Sequence, residues 1–154
     1  MKQGLLKRDT SWPLQVALKV RLDSLALLTD EAVPRPVAVL DFAGVQKLTP
    51  FPYVTIGDET TERNLDNKNV AADSVTVQLH LWSQYPGGKE VAYLGDLIEK
   101  GLTATPLDLG ASLFRVNAFR REFAQTFKEI DGITLHRVLR FRAWVEDLTP
   151  QSNP

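Results

Sequence analysis

The stretch from Ser74 to Tyr85 constrains the fold more than any other part of the chain. Val75, Val77, Leu79 and Leu81 alternate with Thr76, Gln78, His80 and Trp82. A period of two places the aliphatic set on one side of an extended backbone and the polar and aromatic set on the other. The pattern predicts a half-buried central strand, preceded by a second strand from Phe51 to Gly57 and followed by a turn at Pro86 to Gly88 and a helix.

That helix runs from Lys89 to Lys100, with Val91, Leu94 and Ile98 as its apolar stripe, Leu97 beside them and Gly101 placed to end it. Glu90 at its start and Lys100 at its end suit the helix dipole. Upstream, Leu14, Ala17, Leu18, Leu22, Leu25 and Leu28 recur at helical steps and predict a helix from Trp12 to Leu28, with Pro13 in its first turn and Ser11 as its cap. Val16, Val20 and Leu27 add apolar surface away from this stripe. Such a helix is buried on two sides, either within its own domain or against a neighbouring subunit. Thr29 to Pro36 reads as a linker, Val37 to Phe42 as a short strand, and Pro52 belongs at the start of its strand or on an edge, because it cannot donate to a ladder.

Asp131-Gly132, between Leu113–Phe127 and Ile133–Val145, is a strong hairpin signal. A two-residue turn sets Ile130 against Ile133 and puts Leu135, Leu139, Phe141, Ala143 and Val145 on one face with Val116, Ala118 and Ala124. It also opposes Arg121 to Arg142, an unfavourable like-charge pair that predicts a bulge or a splayed strand between Phe119 and Phe123. The fold class is therefore α+β: a mostly antiparallel sheet flanked by two main helices and ending in a β-hairpin. A length of 154 residues suits one domain, with a core from about residue 12 to residue 147 and loosely held ends at Met1–Thr10 and Asp147–Pro154.

Asp58 to Asp73 is almost wholly polar and reads as a long loop, either disordered or a contact element. Asp58, Glu59, Glu62, Asp66 and Asp73 could be read as metal ligands, but Arg63 and Lys68 dilute the charge, so a metal site is not expected. With 18 basic and 19 acidic side chains the net charge is −1, which argues against binding driven by phosphate neutralisation and against a polybasic membrane anchor. Cysteine is absent, which excludes disulfides, thiol nucleophiles and thiolate metal sites. The amino terminus lacks an apolar segment of signal-peptide length and no run approaches a membrane span, so a cytoplasmic protein is expected.

Catalytic signals are weak. Gly87-Gly88-Lys89 departs from a phosphate-binding loop at Ser83 and at Glu90. His80 and His136, the two histidines, fall on predicted strands without an evident carboxylate partner, nucleophile elbow or metal-ligand spacing. No catalytic residue, cofactor or metal is expected. Arg137, Arg140 and Arg142, with Arg115, Arg120 and Arg121 on the partner strand, divide between two faces, which suits ion-paired surfaces or an inter-subunit contact better than a stripe for DNA.

Several segments in order carry a family resemblance: P-Y-V-T-I-G at Pro52 to Gly57, the long polar segment, L-W-S at Leu81 to Ser83, the G-G-K-E-V helix entry, L-D-L-G at Leu107 to Gly110, and the D-G-I-T-L-H-R-V-L-R-F-R-A-W-V-E finish. From Trp12 to Asp147 the chain resembles the tail completion, or tail terminator, proteins of long-tailed bacteriophages and prophages. The resemblance implies a non-enzymatic virion protein, made in the host cytoplasm, that assembles as a ring, typically hexameric. Such a ring caps the head-proximal end of the tail tube, docks to the head connector and lets DNA through its lumen without specific binding. Expected partners are further copies of the chain, the tail tube protein and the connector protein. Interface candidates are Asp58, Glu59, Glu62, Arg63, Asp66 and Lys68 in the polar segment and the aromatics Trp82, Phe119, Phe123 and Trp144 opposite the aliphatic sets. A head-side adaptor or stopper, or a small hydrolase or ligand-binding module using His80 or His136, are the alternatives.

Overall fold

Alternation along the central strand decides the layering. The computed structural model describes residues 9–41, 44–63, 71–110 and 113–148. Its elements in chain order are α1 (Ser11–Ser24), β1 (Ala38–Asp41), β2 (Tyr53–Glu62), β3 (Ala71–Ser83), α2 (Lys89–Thr103), β4 (Phe114–Lys128) and β5 (Leu135–Asp147). The strands form one sheet in the order β1-β2-β3-β5-β4, with β1 parallel to β2 and every other neighbour antiparallel. Val75, Val77, Leu79 and Leu81 of β3 are all buried and face the layer made by α1 and α2. Leu14, Leu18 and Leu22 of α1 and Leu94, Ile98 and Leu102 of α2 complete this core with Leu139, Phe141 and Val145 of β5. The opposite sheet face carries no helix among the described residues.

The long polar loop is not a loop over most of its length. β2 continues to Glu62 and β3 begins at Ala71, with Glu59 opposite Val77, Thr61 opposite Val75 and Glu62 opposite Ser74. Polarity misleads here because the outer half of β2 is exposed along its length, so its backbone is held by the ladder while its side chains meet water. Thr60 and Thr76 join hydroxyls across the pair. A bulge at Asp58, whose φ is +43°, interrupts the register between Gly57 and Glu59. Asp73 is buried and accepts a hydrogen bond from Thr10 Oγ1 at 2.6 Å, so Thr10 is anchored rather than loose. Asp147 likewise belongs to β5 and is buried; Met1 to Arg8 and Thr149 to Pro154 lie outside the described residues.

Three boundaries depart from expectation. α1 ends at Ser24, where Ala26 at φ +48° turns the chain so that Leu27 folds back into the core. Its N-terminal N–H groups are satisfied by Asp9, which accepts from the backbone of Ser11 and of Trp12, whereas Ser11 itself spends its hydroxyl on Asp9. α2 passes through Gly101 to Thr103, because Leu102 is needed in the core and Gly101 lets the helix approach Leu25, whose Cδ1 would lie 2.4 Å from an added Cβ. Arg21 of α1 secures that end by donating to the carbonyls of Gly101, Thr105 and Pro106.

The hairpin keeps the expected frame at its closed end, with Lys128 opposite Leu135. The turn is wider than two residues: Gly132 N donates to Glu129 O, Glu129 N donates to Thr134 O, and the Asp131 carboxylate accepts from Ile133 N and Thr134 N. The expected bulge is present between Arg121 and Phe123, and a second lies between Val116 and Ala118. The first moves Arg121 opposite Phe141 but sets Arg120 against Arg142. Because Ala118 lies between the two bulges, it faces Trp144 and is exposed instead of joining Val116 and Ala124 against the core.

Candidate assembly interface

Helix α1 is apolar on two sides, and only one of them is covered. Leu14, Leu18 and Leu22 turn inward, while Trp12, Val16 and Val20, spaced by four residues, are 61%, 44% and 64% exposed. A groove between α1 and the β1–β2 edge is lined by Trp12, Gln15, Val16, Asp41 and Ile56. A second, on the other flank of the same ridge, is bounded by Asp108, Leu109 and Gly110. Isolated exposed aliphatics are ordinary, but a contiguous ridge set between two apolar grooves is a candidate surface for another chain.

The helix-free sheet face is the second candidate surface. Trp82 lies there, half-buried, stacked on His136 at 3.7 Å and on Tyr53 at 6.1 Å, and its indole donates to Thr55 Oγ1. Trp144 is 45% exposed on the same face. Phe123 is partly exposed beneath the Arg140 guanidinium, 4.9 Å from its ring centre. Phe119 does not belong with them: the bulge at Glu122 turns it to the helix side, where it stacks on Phe141 at 5.0 Å and packs against the core. At the hairpin tip Ile130 is fully exposed and Ile133 largely so.

The bulge also explains how the arginines coexist. Glu122 accepts from Arg140 Nε at 3.0 Å and from Arg142 Nε at 2.7 Å, while Arg115 pairs with Glu146 and Arg121 with Glu99 of α2. The hydrogen bond from Arg142, reinforced by the charges of Arg142 and Arg140, holds the Glu122 carboxyl below the usual carboxylate range. A lowered folded-state pKa contributes stability that is present above the unfolded value and lost as pH falls through the folded one. Replacing Glu122 with Gln is expected to cost about 1 kcal/mol at neutral pH, at the upper end for partly solvated pairs. Urea denaturation of both proteins at descending pH should show that difference shrinking as wild-type Glu122 protonates; a pH-independent difference would mean the charge contributes nothing.

The histidines have the carboxylate partners that the sequence did not reveal. His80 Nε2 lies 3.2 Å from Asp58 Oδ2, His80 Nδ1 lies 2.7 Å from His136 Nε2, and His136 Nδ1 lies 3.0 Å from Glu129 Oε1. Burial pushes both imidazoles down, opposed at His80 by Asp58 and at His136 by Glu129, while the charge of His80 lowers His136 further. The hairpin frame alone implies that Glu129 sits two positions beyond Phe127, the residue opposite His136. What sequence could not supply is the β3–β5 register, which sets Trp82 opposite His136 and His80 opposite Val138, next to it on the same face.

The remaining candidates scatter. Glu59 turns to the helix layer and accepts from Gln15; Glu62 and Arg63 are exposed at the end of β2; Asp66 and Lys68 lie outside the described residues. No group of three or more histidine, aspartate or glutamate side chains among the described residues is placed to hold a metal ion, and no described helix is long and apolar enough to cross a membrane.

Comparison with known proteins adds a name to this architecture. A family model described as "Tail completion protein gp17" matches residues 25–146. A chain in the solved structure titled "Virion of native gene transfer agent (GTA) particle" has the same fold, with a TM-score of 0.71 at 20% identity over 91% of this chain and 99% of that one. No curated protein matches the chain.

Proposed function

The chain belongs to the tail completion protein gp17 family, and from that membership we propose that copies of it close into a ring at the head-proximal end of a phage tail tube, ending the tail and joining it to the head connector. That it is a structural tail protein follows from the family; the ring, its place and its partners are our reading. The match over residues 25–146 carries the proposal.

Two physical features support it. The chain has two unlike apolar surfaces on opposite layers: the α1 ridge of Trp12, Val16 and Val20, and the sheet face with Phe123, Trp144 and the Ile130–Ile133 tip. Contact between unlike surfaces of identical subunits is head-to-tail, and it closes into a ring where the rotation allows. Six subunits is the number that the family resemblance implies. The second feature is charge. A net charge of −1, with Arg140 and Arg142 held by Glu122, suits a lumen through which DNA moves without being retained. Arg63, Asp66 and Lys68, between β2 and β3 in sequence, are our candidates for contact with the tube or connector proteins. No catalytic role is assigned. The histidines have carboxylate partners, but the apolar grooves along α1 are lined by other residues.

Native mass spectrometry of the purified chain over a range of concentrations, alone and with tails lacking the protein, tests the proposal. A closed oligomer in solution or on the tail tip is expected. Binding to DNA-filled heads but not to tails would replace it with a head-side adaptor, and a monomer in every mixture would overturn the ring.

A further inference from the structure

The chain Asp58–His80–His136–Glu129 joins three structural units across the helix-free sheet face: the β2 bulge, the paired strands β3 and β5, and the hairpin tip. We infer that His80 and His136 act as one proton-accepting unit, a pH-sensitive clasp that joins Asp58 to Glu129 through three hydrogen bonds when it carries a single added proton and must give up one of the three when it carries none.

The inference rests on counting hydrogens. The three contacts along the chain, at 3.2, 2.7 and 3.0 Å, each need one hydrogen. Ionised carboxylates supply none, and two neutral imidazoles supply two. If His80 donates from Nε2 to Asp58 and His136 from Nδ1 to Glu129, the two inner nitrogens confront each other with lone pairs at 2.7 Å. If His80 donates from Nδ1 to His136 instead, its Nε2 lone pair faces the Asp58 carboxylate. If His136 donates from Nε2 to His80, the Glu129 contact is lost. One added proton fills the third contact. A second would set two N–H groups against each other across the same gap, so the pair takes up one proton where two separate histidines would take up two.

The surroundings favour that single charge without making it free. Trp82 stacks its face on His136 at 3.7 Å, a setting that accepts an imidazolium. The charged and titratable groups nearest the pair on this face are Asp58 and, beyond Trp82, Tyr53 from β2, Glu129 from the turn, and Arg140 from β5, whose charge is engaged by Glu122 of β4; farther along the same face lie Arg120, Arg142, which Glu122 also holds, Glu62, and the Arg115–Glu146 pair. Both helices lie against the other face. Burial outweighs the carboxylates, so the proton binds below the ordinary imidazole range. Because the folded chain then holds the proton less well than the unfolded one, overall stability declines as pH falls through that range, while the clasp itself becomes complete. Asp58 is the more solvated end: its side chain is 73% exposed, and its φ of +43° at the bulge is a left-handed conformation uncommon in an L residue.

Long-range proton–nitrogen correlation spectra of the full chain, recorded from about pH 8 to pH 4.5 to span the imidazole range, would decide this. All four ring nitrogens are expected to move with one midpoint and one proton per pair. Glu129→Gln should lower that midpoint by about one unit, and Asp58→Asn, whose partner is more solvated, by less. His80→Gln should leave His136 titrating alone. Two rings with separate midpoints, each taking its own proton in the wild-type chain, would overturn the inference whether or not the variants fold.

Discussion

Replacing Phe141 with alanine is expected to destabilise the chain by about 3–5 kcal/mol, the range for a large aromatic removed from a core. Phe141 is fully buried on the helix side of β5 and stacks face to face on Phe119. It also lies directly between Val77 of β3 and Arg121 of the bulged strand β4. The resulting space cannot be closed by a shift of one neighbour, since two strand ladders fix the backbone on either side. Against a typical total stability of about 5–15 kcal/mol, the loss should lower the midpoint of thermal unfolding by roughly 10–15 °C at this chain length. Circular dichroism melts of wild type and variant would measure it. A shift of a degree or two would show that Phe141 is not the centre of the core. Phe119→Ala, at the half-buried end of the stack, should cost distinctly less.

The second large effect concerns assembly rather than folding. Val16→Asp together with Val20→Asp should leave the isolated subunit nearly as stable as wild type, because both side chains are substantially exposed and substitutions at such sites stay within about 0.5 kcal/mol each. In an assembled ring the same two carboxylates would be buried between grooves that are almost wholly apolar. A buried unpaired charge costs several kcal/mol, so self-association or attachment to tails should fall by about 100-fold or more. The pair of measurements separates the causes: a melt unchanged with association lost places α1 in the interface, and association intact removes it. Trp12, at the amino-terminal end of the ridge, is the position where truncation to alanine alone should be felt.

How much of this could be read from the sequence depends on how local the controlling interaction is. The β3 alternation, the α2 stripe and the Asp131-Gly132 turn are short-range patterns, and all three appear in the structure. The bulge after Arg121 was legible from charge opposition, because a hairpin frame is fixed by its turn. The outer half of β2 was not, since its polar residues are held by a ladder with β3 and exposed to water, a combination that looks like a loop in composition. Phe119 was assigned to the wrong face because one inserted residue reverses the side chains beyond it, here as far as the second bulge. The histidine chain was invisible for a different reason: its register depends on the pairing of β3 with β5, which are separated by α2 and all of β4. The outward stripe of α1 was noted as excess apolar surface, and the structure shows which side stays uncovered.

That same pairing shapes how the chain reaches its fold. β5 slots between β3 and β4 although it follows both in the chain, so the strand at the centre of the sheet waits with one edge bare until the residues of β5 have emerged from the ribosome. Loop closure over that distance is entropically expensive and slow compared with hairpin formation. During synthesis the nascent chain therefore presents an apolar, unpaired β3 edge together with the uncovered ridge of α1, the two kinds of surface that chaperones retain and that aggregate when crowded. Completion of β5, rather than of any helix, is the step that removes the bare β3 edge, whereas the ridge of α1 stays uncovered in the folded chain.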